Sequence, residues 1–182
     1  MPTATGSVLG GVKVGSGLSI TDGVLSTNTP FAMYKLTNDQ NSTSTTLADV
    51  TELSFSHTSG KIYRVEIVGA YRTAATTTGG KLAVYLPSGS GSIQGFMEGD
   101  IVNTAAATGL KIPVYAIGTS NATGSFLLTT GVTSTTVDQS LHAILIFVSS
   151  GNGTFRVQWA TEVASSQATL RANSLMLVTQ LN

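Results

Sequence analysis

The chain has 182 residues, and its nine basic and nine acidic side chains cancel to a formal net charge of zero at pH 7. That balance gives no electrostatic footing for nucleic acid or an anionic membrane surface. Cysteine is absent, which excludes disulfides, thiolate metal sites and cysteine nucleophiles together.

Charged residues make up 10% and hydrophobic residues 41%, so a folded domain is expected in place of a disordered one. Ser and Thr supply most of the polarity, and β-branched Thr favours a pleated surface over a helix. The opening MPTATGSVLG lacks a basic region followed by a long apolar run, so no secretory signal is read there. The apolar run Ala143 to Val148 is far too short to span a membrane. A soluble chain beginning at its own N-terminus, without membrane insertion, is the expectation.

The segment LGGVKVGSGLSITDGVLST, Leu9 to Thr27, comes first in chain order. Val12 and Val14, then Leu18 and Ile20, alternate with polar residues, while Gly10, Gly11, Gly15, Gly17 and Gly23 punctuate them. A strand, a turn, a second short strand and a turn at Asp22-Gly23 follow from that pattern. Its few apolar side chains cannot build a core alone, which points to pairing between copies. The words G-G-V-K-V-G-x-G-L-S-I-x-D-G-V-L-S resemble the glycine-rich unit of tailed-bacteriophage fibre and virion-surface proteins.

Pro30 to Leu36 reads as a short strand leading out of this arm, and TNDQNSTSTT, Thr37 to Thr46, as a linker or long loop of turn formers. The expected division is therefore an arm and linker over 1–46, used for attachment, and a head over 47–182. Within the head, strand patterns recur at Thr51–His57, Lys61–Arg72, Lys81–Leu86, Leu110–Ile117, Ser125–Thr129, Leu141–Ser149, Gly153–Thr161 and Thr169–Thr179. Pro113 marks its segment as an edge strand or a bulge. No segment carries a helical period over three turns. The fold class is all-β, an antiparallel sandwich.

LHAILIFV, Leu141 to Val148, is apolar on both faces apart from His142, and SLMLV, Ser174 to Val178, behaves alike. An antiparallel sheet normally shows one face to water, so the second face needs a cover. Another copy of the chain is the expected cover. The region 47–182, through SGKIYRVEIVGAYRTAATTTGG and LRANSLMLVTQLN, resembles the jelly-roll heads of phage fibre and capsid-decoration proteins. That resemblance implies a homotrimer with a jelly-roll-like head.

The chemistry-bearing residues are sparse. His57 and His142 are the only histidines, too few for a transition-metal site without thiols. His57 is expected to hydrogen-bond near a turn. His142 is expected in the buried layer or near a three-fold axis, with a lowered pKa and a trimer that loosens on mild acidification. Asp138, Ser140 and His142 stand two apart on one strand face, where side chains run parallel and do not converge as a triad. Glu98 and Asp100 are read as a polar loop flanking a strand instead of an acid–base or calcium pair. PSGSGSIQG, Pro87 to Gly95, lacks the Lys and following helix of a phosphate cradle and reads as a surface loop. Asn41, Asn121 and Asn152 begin sequons that carry no weight without a secretory signal. Phe155, Val157 and Trp159 alternate as core positions, leaving Tyr85, Tyr115 and the loop Gly118 to Gly124 as vaguer places for sugar contacts.

No catalytic, cofactor or metal residues are assigned, and no cofactor is expected. The function read from the chain is a non-enzymatic structural protein of a tailed-phage virion, a trimeric short fibre. Its arm would dock on other tail or capsid proteins, and its head would face outward toward a host surface glycan. A capsid cement protein that clamps capsomers is the alternative. A lectin-like carbohydrate-binding module is the second. The expected location is the virion, assembled in the host cytoplasm.

Overall fold

The computed structural model describes residues 18–21, 24–27, 31–86, 91–103, 106–117, 124–127, 131–132 and 134–182. The chain divides into two compact units, Met1–Phe31 and Ala32–Asn182. In the first, β1 (Leu18–Thr21) and β2 (Val24–Thr27) form an antiparallel pair whose register sets Thr21 against Val24. This agrees with the second strand expected there; the expected turn at Asp22-Gly23 and the expected first strand at Val12–Val14 lie outside the described residues.

The remaining strands follow in order: β3 (Phe31–Lys35), β4 (Gln40–Ser42), β5 (Ala48–His57), β6 (Ile62–Thr73), β7 (Gly80–Tyr85) and β8 (Gly91–Asn103). After them come β9 (Ala106–Ile117), β10 (Gly124–Leu127), β11 (Gln139–Ser149), β12 (Gly153–Thr161), β13 (Ala168–Leu170) and β14 (Leu175–Gln180). They form a small sheet in the order β10-β7-β12-β5 and a large one in the order β3-β14-β6-β11-β8-β9, with β13 bridging β4 and β6. From β5 onward the chain changes sheets at almost every connection, the β8–β9 hairpin being the main exception. The architecture is an all-β antiparallel sandwich with jelly-roll-like alternation between layers.

Period-two alternation fixes which side chains face inward. On β6, Tyr63, Val65, Ile67 and Tyr71 are buried, and on β11 Leu141, Ala143, Leu145 and Phe147 are buried. The small sheet answers with Leu53, Phe55, Leu82, Val84, Phe155, Val157 and Trp159. Rings meet across the layers: Phe147 and Phe155 at 5.7 Å, Phe55 and Tyr63 at 5.3 Å, Tyr71 and Trp159 at 5.8 Å. Such aromatic pairs add about 0.5–1.5 kcal/mol each beyond their buried area. Pro113 sits on β9, which ends the strand order of the large sheet, in keeping with the edge-strand reading.

Three expectations are corrected. The segment 32–46, expected to close the arm and serve as linker, belongs to the second unit. There β3 pairs with β14, β4 pairs with β13 through Asn41↔Thr169, and Leu36 is buried. Thr37 donates both its amide and its hydroxyl to the Glu52 carboxylate, which holds that acid below its usual pKa. Gly91 to Gly95, expected in a surface loop, opens β8. A Cβ on Gly95 would lie 2.1 Å from the carbonyl oxygen of Ile144, so the glycine marks a close backbone approach within a sheet. His142, expected in the buried layer, points out of the sandwich. It alternates with Leu141 and Ala143, which take the inner side, and its side chain keeps 35% of its accessible surface.

Candidate functional site

The outer face of the large sheet carries apolar as well as charged side chains. Leu175 and Leu177 on β14, Val68 on β6, and Ile144, Ile146 and Val148 on β11 all project from it. Register brings them together: Leu175 and His142 flank Val68, and Leu177 and Ile144 flank Glu66. Ile144 in turn pairs with Phe96 on β8, and Ile146 pairs with Arg64. Val68 and Val148 are each 41% exposed. One side of an antiparallel sheet is ordinarily polar, so apolar relief on this second face makes it the candidate surface.

Arg64, Glu66 and His142 form one connected group on this face. Arg64 Nη2 lies 2.7 Å from Glu66 Oε2, and His142 Nε2 lies 3.2 Å from Glu66 Oε1. Glu66 is therefore held on both carboxylate oxygens, and its side chain is only 20% exposed. The charged side chains alternate with Val65 and Ile67, which point into the core, so the pleat alone places them outward. The sequence marks Arg64 and Glu66 as the polar face of their strand. It does not reveal that His142 shares that face, because Leu141 to Val148 is apolar on either parity.

The other sequence candidates are dispersed. His57 ends β5 and is 3% exposed, with Nδ1 2.9 Å from Ser149 Oγ. Ser149 gives its own proton to the Gly151 carbonyl at 2.8 Å, so His57 must donate from Nδ1. His57 Nε2 is buried without a hydrogen-bond partner among the described residues. Burial pushes the imidazole pKa down, and the nearby Gly151 carbonyl opposes that only in part.

Asp138 bonds Arg72 at 2.8 Å and approaches Arg171 at 3.3 Å, both through Oδ1. Glu98 and Asp100 lie on β8, where Glu98 registers with His142 and Lys111, and so stand in a strand instead of the expected loop. Trp159 is a core residue, 1% exposed, with Nε1 donating to the Ala168 carbonyl at 3.2 Å. Tyr85 stacks under the Arg156 guanidinium at 5.4 Å, and Arg156 pairs with Asp49 at 3.1 Å. Asp49 and Arg156 line a shallow groove with Val50, Thr51 and Ser54, but their charges already satisfy one another. The loop Gly118 to Gly124, apart from Gly124 at the start of β10, lies outside the described residues. Among the described residues no three His, Asp or Glu side chains gather as a metal cluster, and no helix is long and apolar enough to cross a membrane.

The chain matches no protein-family model and no curated protein. It is similar to the infectious bursal disease virus VP2 subviral particle at 9% identity and a TM-score of 0.26, over 89% of this chain and 40% of that one. The structure of the infectious bursal disease virus Gt strain is similar at 13% identity and a TM-score of 0.27, over 99% and 45%. The chain thus spans less than half the length of these virus proteins, and at such scores the likeness carries no functional argument.

Proposed function

We propose that this chain is a non-enzymatic structural protein of a virus particle, a homotrimer of the tailed-phage virion-surface kind. Its glycine-rich arm docks on other tail or capsid proteins, and its sandwich head faces outward. The observation that carries this reading is the head's second apolar face, joined in one chain to a separate compact unit that holds the β1–β2 pair. A fold that leaves six aliphatic side chains outside its core is built to be covered by other protein. The glycine-rich words of the arm, which resemble fibre units, favour a short fibre over a cement protein.

Labelling purified particles with antibody against the head tests the reading. Label at the tail or projecting from the particle supports the fibre. Label distributed over the capsid lattice supports cement, and absence from purified particles overturns both. A lectin-like head that takes host glycan is compatible with the fibre, and binding on a glycan array is its measurement.

A further inference from the structure

We infer that the end of the sandwich closed by His57 is an acid-operated latch: protonating this one imidazole opens the Thr58–Lys61 and Ser150–Asn152 turns while the rest of both sheets stays folded. The inference concerns the head's own fold and does not depend on the virion reading.

The hydrogen bonds at this end converge on one pair of residues. His57 ends β5 in the small sheet, Ser149 ends β11 in the large one, and their side chains bond from sheet to sheet. Ser149 Oγ donates to the Gly151 carbonyl and so fixes the turn after β11. The Ser149 backbone holds the other turn, accepting from the Gly60 amide and donating to the Lys61 carbonyl, each at 2.8 Å. Ser59 donates its amide to Asn152 Oδ1 at 2.9 Å, which joins the two turns directly. Gly153 pairs with His57 itself. Thr58, Ser59, Gly60, Ser150 and Asn152 are exposed, whereas His57 and Ser149 are buried. Exposed turns held by a few bonds open at lower free energy than strands whose side chains fill the core.

A charge on the ring has no place in the closed form. Phe55 and Phe147 stand against it, and Nε2 has no acceptor among the described residues. The ionisable groups on the surrounding elements are Lys61 in the turn, Tyr63 on β6, whose hydroxyl accepts from the Thr58 amide, and the carboxylate of Asn182, which Gln180 engages. Residues 53–63 and 145–155 contain no Asp or Glu. An imidazolium formed in place keeps a charged N–H without an acceptor, and opening the turns lets water take that role. Burial accordingly lowers the imidazole pKa in the closed form. The closed form is favoured in full above the open-state value of about 6.5, and loses ground as the pH falls through it toward the lower closed-state value.

Backbone hydrogen exchange read by NMR at pH 7 and pH 5, well below the melting temperature and corrected for intrinsic rate, tests this. The expected result is a several-fold loss of protection at the Gly60 and Ser149 amides on acidification, with Val65, Ile67, Leu145 and Val157 unchanged. His57→Asn should show no such loss. An even loss throughout both sheets overturns the latch and leaves His57 a group of global stability only. Unchanged protection at Gly60 and Ser149, or a loss that persists in His57→Asn, overturns it as well. A readout that needs no change at His57 comes from the imidazole itself, since His142→Gln leaves a single histidine signal. Titration of His57 should coincide with the loss of protection, and titration without that loss overturns the latch.

Discussion

His57 donates its Nδ1 proton to Ser149 Oγ across 2.9 Å, joining the end of β5 in one sheet to the end of β11 in the other. Phe147 meets the imidazole edge-on at 4.7 Å, and Phe55 stands at 6.4 Å. The ring is thus fixed as one neutral tautomer in an aromatic pocket, its second nitrogen facing no acceptor among the described residues. Protonation would put a charged N–H there, with nothing to receive it.

Acid lability follows from this geometry. The His57 pKa is lowered on folding, chiefly by burial, so the unfolded chain binds the proton more readily. Its contribution to stability is full above the unfolded value of about 6.5 and declines as the pH falls through that value toward the lower folded one. Thermal unfolding followed by circular dichroism should show the midpoint dropping between pH 7 and pH 5. His57→Asn keeps a donor toward Ser149 but cannot titrate, and it should flatten that dependence. An unchanged slope in the variant would move the acid response to other groups. The sequence places this sensitivity at His142 instead, which points out of the sandwich.

Gly80 and Trp159 form a second tight relationship. A Cβ on Gly80 would lie 2.4 Å from Trp159 Cη2, and the ring is buried and tied to the Ala168 carbonyl, so it has little room to retreat. Gly80→Ala should destabilise the fold by about 1–3 kcal/mol, the usual cost of forcing extra carbon into a packed core. Urea denaturation followed by tryptophan fluorescence measures both the loss and any shift of the ring's environment. Gly60→Ala is a contrasting case: nothing stands within 4 Å, but its φ of +77° disfavours any Cβ. Its cost should be about 1–2 kcal/mol, with native fluorescence unchanged.

Much of the sandwich is legible in the sequence wherever one strand face is polar. On β6 the alternation of Tyr63, Val65 and Ile67 with Arg64 and Glu66 is enough by itself to name the inner side. Where both parities are apolar, as from Leu141 to Val148, the period survives but its direction is lost. Pairing with the charged side of β6 decides it. The polar run after Leu36 hides its role for a different reason. Its strand β4 buries little of its own and is held by hydrogen bonds to distant residues, such as Thr169 Oγ1 to Asn41 Oδ1 at 2.7 Å. Composition records turn formers, but it cannot record partners so far along the chain. The apolar outer face is legible as a strand needing cover, while its Arg64–Glu66–His142 centre depends on a register that sequence alone does not provide.

Truncation separates the arm from the head at a place the linker reading misses. A chain beginning at Ala32 retains most of β3, Leu36 and β4, and should unfold cooperatively with nearly the stability of the full chain. A chain beginning at Thr46 loses β3 at the sheet edge, the buried Leu36, the β4–β13 pairing and the Thr37 bonds to Glu52. It also frees Arg171 of its ion pair with Asp39. Removing one buried leucine alone costs about 2–5 kcal/mol, against a total stability of about 5–15 kcal/mol for a typical domain. The shorter chain should therefore be marginal at room temperature, with a denaturation midpoint far below that of the chain starting at Ala32. Equal midpoints for the two would return residues 32–46 to the arm. In the proposed virion role both truncations should fail to join particles, so stability, and not assembly, is the measurement that tells them apart.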